Sequence, residues 1–393
     1  MSDLAVLWLA PAYPSPADTV GGIFTQTQAR AVSRQGVDLQ VVAPVPWSPW
    51  PIRSLHPRWR RYAESPRTAL DGLVRVERPR WLAMPGSPPW LATDRQVEAL
   101  ARGTWHGRRP AVVHGHFATP HGQAAVRLGH HWRRPTVVTL HGSDVNLQPQ
   151  ARRGGRARLQ AVVDGATEVL AVSSALAERT TLLTGRRPRV MPVGVDLEPL
   201  RAARRPLGEA RERVGWPADR SVVTFVGRLL PAKGLRELAA AADRLPKEAL
   251  IMVIGDGPLQ KELAASAAAR SDRLRLLGPI DHGHIPDLLA ASDVVVLPSH
   301  AEGLPTVLVE AGAMGIPVVA SAVGGVPELL GADGGWLCPP RDPEALTATI
   351  RRVLDDPAEA ARRSANLERT VAEEHDVDRQ AAKLVALYRS LVA

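Results

Sequence analysis

The strongest constraint on this chain is a series of short runs that are almost continuously apolar. LAVLWLA (4–10), VDLQVVA (37–43), LVRVE (73–77), AVVHG (111–115), TVVTL (136–140) and EVLAV (168–172) fall in the first half. SVVTFVG (221–227), ALIMVIG (249–255), RLRLLG (273–278), DVVVLP (293–298) and PVVAS (317–321) fall in the second. A strand with one wet face alternates apolar and polar residues; a strand covered on both faces does not. Helix-length segments separate the runs, at 22–35, 92–102, 120–131 and 174–184, then at 234–244, 258–268, 284–291 and 306–315. Strand and helix alternating twice over predict an α/β protein of two Rossmann-like, doubly wound domains.

The length of 393 residues agrees, being more than one hydrophobic core usually holds. The Arg-, Pro- and Gly-rich stretch 193–221 has no buried-strand pattern and predicts the boundary. The first domain is then 1–195 and the second 196–375. A last helix, 376–393, carries Val377, Ala381, Leu384 and Leu387 at helical spacing and is expected to pack back on the first domain.

The single cysteine, Cys338, excludes an internal disulfide and a cysteine-rich zinc site. No apolar run reaches the length of about 18 residues that a membrane-spanning helix needs. The N-terminus carries Asp3 and lacks a basic n-region, so a signal peptide is not expected, and a cytoplasmic protein fits best. The net charge of +9 is compatible with nucleic acid, anionic lipid or a phosphorylated substrate. No nucleic-acid-binding module is visible, so nucleic acid is not an expected partner. Pro, Trp and Arg dominate 44–90, which reads as a long loop excursion. Trp and Arg there could meet a lipid headgroup surface, stack on sugars, or simply pack the loop onto its domain.

Ligands of open parallel sheets bind beyond the carboxyl ends of the strands. The residues with chemical character gather there, in PAYPSPADTVGG, HGHFATPHG, HGSDVN, GRLLPAKG, GDGP, SHAEGLPT and AVGGVPE. In VGRLLPAKG, which contains Gly227, the cations Arg228 and Lys233 stand between a strand and a helix. They suit a diphosphate, or a solvated turn. GDGP, opening at Gly255, reads as a tight turn with Pro at the first position of the next helix and is weak alone. His141, with Asp144 nearby, could donate a hydrogen bond, relay a proton, or be structural. His114, His116 and His121 raise a metal site, but neither cysteine nor a nearby acidic ligand supports one, and none is expected.

Glu302 and Glu310 bracket EGLPTVLVE. On one continuous helix they would stand about 12 Å and about 80° apart. Glycosidase carboxyl pairs need about 5 Å, or about 6.5–9.5 Å, so a catalytic dyad fails. Pro305 fits the first turn of a helix, leaving Glu302 on the preceding loop and Glu310 in the second turn. The free N–H groups of Thr306 and Val307 then attract an anion between the two glutamates.

This ordered set of motifs resembles the family 4 glycosyltransferases, retaining enzymes of the GT-B fold, over most of the chain. SHAEGLPTVLVEAGAMGIPVVASAVGGVPE (299–328) is the most specific piece, joined by GRLLPAKG, VIGDGP, VGVD, TLHGSD and Gly21–Gly22. The resemblance implies two domains facing a central cleft and a nucleotide-sugar donor, with UDP expected as the nucleotide, and no further cofactor. It implies that Glu310 binds the ribose hydroxyls. Glu302 holds the donor sugar, with the backbone of Gly303 and Leu304 near Pro305. Arg228 and Lys233 neutralise the diphosphate, helped by Thr306, Val307 and Gly22, and Gly21, Gly227 and Gly255 also belong to the donor-binding set. The base lies near Gly278–Ile280, and His141 touches the sugar close to the reacting carbon. His116 and Asp144 are candidates on the acceptor side.

Transfer without a metal then follows, with no glutamate as nucleophile. The acceptor is a carbohydrate or lipid-linked hydroxyl, as in surface polysaccharide or glycolipid synthesis. A peripheral contact with anionic membrane is a further expected partnership. A sugar-nucleotide epimerase of the same fold and a non-catalytic sugar-nucleotide-binding protein are the alternatives.

Overall fold

A computed structural model describes residues 4–51, 57–83, 93–105, 109–151, 154–270 and 273–393. The chain divides into two compact units. One joins Met1–Val193 to Val377–Ala393; the other is Gly194–Asp376.

The strands of the first unit are β1 (Ala5–Leu9), β2 (Asp38–Val42), β3 (Val45–Trp47), β4 (Thr68–Asp71), β5 (Val74–Glu77), β6 (Arg80–Leu82), β7 (Val112–His116), β8 (Thr136–Leu140), β9 (Glu168–Ala171) and β10 (Arg189–Val190). Eight of them form one sheet in the order β10-β9-β8-β7-β1-β2-β5-β4. Only the edge pair β4–β5 is antiparallel. The second unit has β11 (Ser221–Val226), β12 (Ala249–Ile254), β13 (Leu274–Gly278), β14 (Val294–Leu297), β15 (Val318–Ser321) and β16 (Trp336–Cys338). These form a parallel sheet in the order β13-β12-β11-β14-β15-β16. The apolar runs become strands because helices cover both faces. All six residues of β12 are buried, as are all of β8 and β14. Each fully buried aliphatic side chain contributes about 1.5–3 kcal/mol. All eleven expected strands are present, each within one residue of its expected bounds.

The division between the units falls at Val193/Gly194, at the start of the stretch 193–221 expected to hold the boundary. The rest of that stretch belongs to the second unit and carries helices Leu197–Ala202 and Leu207–Val214, seated by the buried Leu197, Leu200 and Ala210. One expectation needs correction. The described part of 44–90 is built structure rather than a loop excursion. β3 and β6 pair in a small parallel sheet, and Trp81 packs with Leu7, Leu9 and Val97, with Trp59 against the same cluster. Arg78 is buried and donates to the Pro14 and Pro66 carbonyls, while Arg80 donates to the Ala63 and Ser65 carbonyls at 2.8 and 3.0 Å. These side chains pin the segment to its unit; Trp50 remains exposed. Residues 52–56 and 84–90 of this region lie outside the described set.

Helix Val377–Val392 joins the first unit. Val377, Ala381, Leu384 and Leu387 pack with Val6, Trp8 and Leu39, and Asp378 pairs with Arg34 at 2.8 Å. Among the described residues no helix is long and apolar enough to cross a membrane.

Candidate active site

In the second unit strand order reverses at β11, which has β12 on one side and β14 on the other. A crevice forms at such a switch point, outside the carboxyl ends of the strands. The loops after β11 and β14 carry the expected charges. Lys233, in the turn Pro231–Lys233, donates from Nζ to Glu302 Oε1 at 2.6 Å. This is a charge-assisted bond, and the Glu302 side chain is only 9% exposed. Arg228 is more open and lies 3.4 Å from Asp256 in the GDGP turn.

Close backbone approach holds these loops. A Cβ on Gly255 would stand 1.9 Å from the Gly227 carbonyl oxygen, and Gly255 has φ 139°. The ends of β11 and β12 can meet only there without a side chain. Gly324, at φ 54°, presses on the Glu302 carbonyl oxygen, which a Cβ would approach to 2.1 Å. The neighbouring Gly325 N–H donates to the Gly303 carbonyl at 2.8 Å. The AVGG turn therefore seats the EGLP loop.

Helix Thr306–Ala313 begins directly after this loop, and Pro305 is its N-cap rather than a residue of its first turn. No side chain caps it. The first amides, of Thr306 and Val307, have no carbonyl four residues back within the helix. Gly303 and Pro305 are buried, and Leu304 and Val307 pack against the core. Glu310 sits in the second turn, 9% exposed, with Oε1 at 3.2 Å from His282 Nε2. The two glutamates thus engage different cationic partners, Lys233 and His282, rather than each other. His282 follows β13 in the turn His282–His284, two residues beyond Ile280, which packs against the same core. Burial lowers the His282 pKa, but the hydrogen bond and charge of Glu310 outweigh it, leaving it above the ordinary value. His282 is absent from the sequence-based site; its place after a strand end was the available signal.

In the first unit Gly22 (φ 86°) precedes helix Ile23–Arg34, and Gly21 N–H donates to Asp18 Oδ1 at 3.0 Å. His116 ends β7 and His141 follows β8. Their rings meet, His116 Nδ1 to His141 Nε2, at 3.1 Å. Asp144 is buried. Oδ2 accepts from Ala118 N–H at 3.0 Å; Oδ1 accepts from Gly142 N–H at 2.8 Å and His141 N–H at 3.2 Å. Burial raises the Asp144 pKa, against these backbone hydrogen bonds. The geometry corrects two expectations. Asp144 ties the loops after β7 and β8 together, with no bond to the His141 ring and no exposed oxygen for an acceptor. His116 is fully buried, so it too acts on its neighbours. Burial holds His141, His114 and His121 at about 3 and His116 well below the ordinary histidine value, so all four are neutral near pH 7. Among the described residues no group of three or more His, Cys, Asp or Glu is placed to hold a metal ion.

Two parallel-sheet units with their polar residues at the strand ends define a GT-B architecture, and sequence comparison supplies the family. Residues 21–199 match the profile of Glycosyltransferase Family 4, and residues 208–370 that of Glycosyl transferases group 1. The chain belongs to the family 4 glycosyltransferases. It is 32% identical over 390 residues to the putative teichuronic acid biosynthesis glycosyltransferase TuaC of Bacillus subtilis, covering 99% of each chain. It is 29% identical over 405 residues to a D-inositol 3-phosphate glycosyltransferase of Xylanimonas cellulosilytica, covering 95% and 93%. Two solved structures share the fold. Sucrose-phosphate synthase from Thermosynechococcus elongatus has TM-score 0.83 at 22% identity, covering 98% and 99%. HepE from Anabaena, in complex with UDP-glucose, has TM-score 0.73 at 22% identity, covering 99% and 100%.

Proposed function

We propose that this glycosyltransferase moves a sugar from a nucleoside-diphosphate sugar to a hydroxyl of a carbohydrate or lipid-linked acceptor, with retention, in the synthesis of a surface polysaccharide. The observation that carries this reading is the Lys233–Glu302 pair beside the uncapped start of helix Thr306–Ala313, with Glu310 one turn further on. A cation and free amides suit a diphosphate, and flanking carboxylates suit hydroxyls of a sugar and a ribose. UDP is the nucleotide proposed, in line with the UDP-glucose complex of HepE. The polymer is proposed from the similarity to TuaC.

In the reaction the bond from the sugar's anomeric carbon to the diphosphate oxygen breaks, and a bond from that carbon to the acceptor oxygen forms. Negative charge grows on the leaving diphosphate. Arg228, Lys233 and the Thr306 and Val307 amides stabilise it, so the charge needs no metal. The acceptor attacks from the face the diphosphate leaves, and a phosphate oxygen takes its proton. Glu302, released from Lys233, binds sugar hydroxyls, and Glu310 binds the ribose. His141 is the first unit's proposed contact with the transferred sugar.

The test is turnover of UDP-sugars with and without a lipid-linked or oligosaccharide acceptor, with the product's anomeric configuration read by NMR. Acceptor-dependent UDP release and a retained configuration are expected. Donor conversion without acceptor would indicate epimerisation instead, and inversion would overturn the stereochemical assignment.

A further inference from the structure

The first unit buries a line of aromatic and imidazole rings that the proposed reaction does not by itself require. Trp8 donates from Nε1 to the Tyr388 hydroxyl at 3.0 Å. Indole N–H can only donate, so Tyr388 accepts there and has its own proton left to give. Its other partner is His114 Nδ1, which therefore accepts. His114 must then carry its proton on Nε2, where Thr139 Oγ1 lies at 2.8 Å. His114 stacks on His116, centroids 4.5 Å apart and planes 20° apart, and Trp8 packs on His116 at 4.6 Å. These rings fix the plane of the His116 imidazole.

His116 Nδ1 meets His141 Nε2 at 3.1 Å, and both rings are neutral near pH 7, so one nitrogen donates and the other accepts. Two arrangements satisfy that bond, and they differ in what they leave at His116 Nε2. This atom is buried and has no hydrogen-bond partner among the described residues. If His141 donated, His116 would carry its proton on Nε2, a buried N–H with nothing to receive it. If His116 donates, only a lone pair is left unsatisfied, and orphaned buried N–H groups are the rarer and costlier case.

We propose that His116 is a positioning residue: it donates from Nδ1 to His141 Nε2 and so holds His141 as the neutral tautomer protonated on Nδ1. His141 then offers a fixed hydrogen-bond donor rather than an acceptor to a sugar oxygen. Asp144 supports this from the backbone side, since it accepts from the His141 N–H and fixes where the ring begins. The use of that donor rests on the proposed sugar contact of His141; the tautomer itself does not.

The experiment uses the full chain labelled with ¹⁵N-histidine. Long-range ¹H–¹⁵N spectra distinguish protonated from bare ring nitrogens, and His141→Gln identifies the His141 signals by their loss. The wild type is expected to show His141 protonated on Nδ1 and bare on Nε2. His116→Phe removes the donor and should release that tautomer, with kcat falling about tenfold, the size of one neutral hydrogen bond. His116→Asn places an amide N–H near the position of Nδ1 and should restore the tautomer and most of the rate. His141 protonated on Nε2 in the wild type would overturn the proposal whatever the variants do. An unchanged tautomer in a folded His116→Phe would overturn it as well. Absence of sugar transfer with the expected tautomer in place would count against the sugar-transfer reading instead.

Discussion

Lys233 Nζ and Glu302 Oε1 stand 2.6 Å apart and join the loop after β11 to the loop after β14. The two are proposed to meet different parts of the donor, the diphosphate for Lys233 and the sugar for Glu302. The pair neutralises the charge of the poorly exposed Glu302 carboxylate. In the proposed reaction donor binding exchanges this charge-assisted bond for others.

Lys233 and Arg228 are therefore expected to separate in their effects. Arg228→Ala should slow transfer about 10²–10³-fold, as loss of one transition-state donor does, while stability stays within about 0.5 kcal/mol because the side chain is exposed. Lys233→Ala should lose a similar rate and also stability, because the poorly exposed Glu302 loses the Lys233 ammonium. Adding Glu302→Gln should recover part of that stability. Steady-state kinetics and urea titrations of the three variants check this, and normal turnover by both single variants would remove the two cations from the mechanism.

Gly324→Ala should weaken donor binding through Glu302. The added Cβ would meet the Glu302 carbonyl oxygen at a backbone conformation that alanine resists, at a cost of about 2 kcal/mol or more. Calorimetric titration with UDP-glucose should show a raised Kd together with a lowered unfolding midpoint.

Acid should destabilise the chain through its buried imidazoles. The unfolded chain protonates His114, His116 and His121 near the ordinary value of 6.5, whereas the fold, by burial, holds them neutral to about 3 for His114 and His121 and to a strongly lowered value for His116. Below 6.5 the unfolded state thus binds more protons, and stability falls as the pH falls. The slope is about 1.4 kcal/mol per pH unit for each such group. Urea midpoints from pH 7 to pH 4.5 measure it, and His121→Leu should flatten it.

His282 carries the opposite sign. Glu310 holds its pKa above 6.5, so the folded state keeps the proton longer than the unfolded chain does. The stabilisation is complete below 6.5 and is lost as the pH rises through the raised value. The difference in thermal midpoint between wild type and His282→Gln should be larger at pH 6 than at pH 8.5. A difference independent of pH would mean that the His282–Glu310 contact is not ionic.

The eleven long strands were legible because burial on both faces forces unbroken apolar runs. The short strands β3, β6, β10 and β16, of two or three residues, carry no such run. Helices Pro343–Asp355 and Pro357–Glu374 lie outside the expected elements, although Asp342 and Asp356 cap them and prolines open them. At the carboxyl ends of the second unit's strands, residue types and strand ends singled out Arg228, Lys233, Glu302 and Glu310 as candidates. The sequence did not reveal that Lys233 pairs with Glu302 or Glu310 with His282, because those pairs join segments 69 and 28 residues apart. His116 and Asp144 were recognised by type, but their roles depend on burial, which turns a candidate ligand contact into support for His141.

A nucleotide-sugar is proposed to bind where Lys233, Glu302 and the start of helix Thr306–Ala313 meet. Thermal unfolding of wild type and Lys233→Ala with UDP-, GDP- and ADP-sugars tests it most directly, since a ligand at 100 times its Kd adds about 2.7 kcal/mol to the native state. A UDP-sugar should raise the wild-type midpoint by several degrees, and Lys233→Ala should lose most of that shift. No shift with any nucleotide-sugar, or an equal shift in both proteins, would contradict the account.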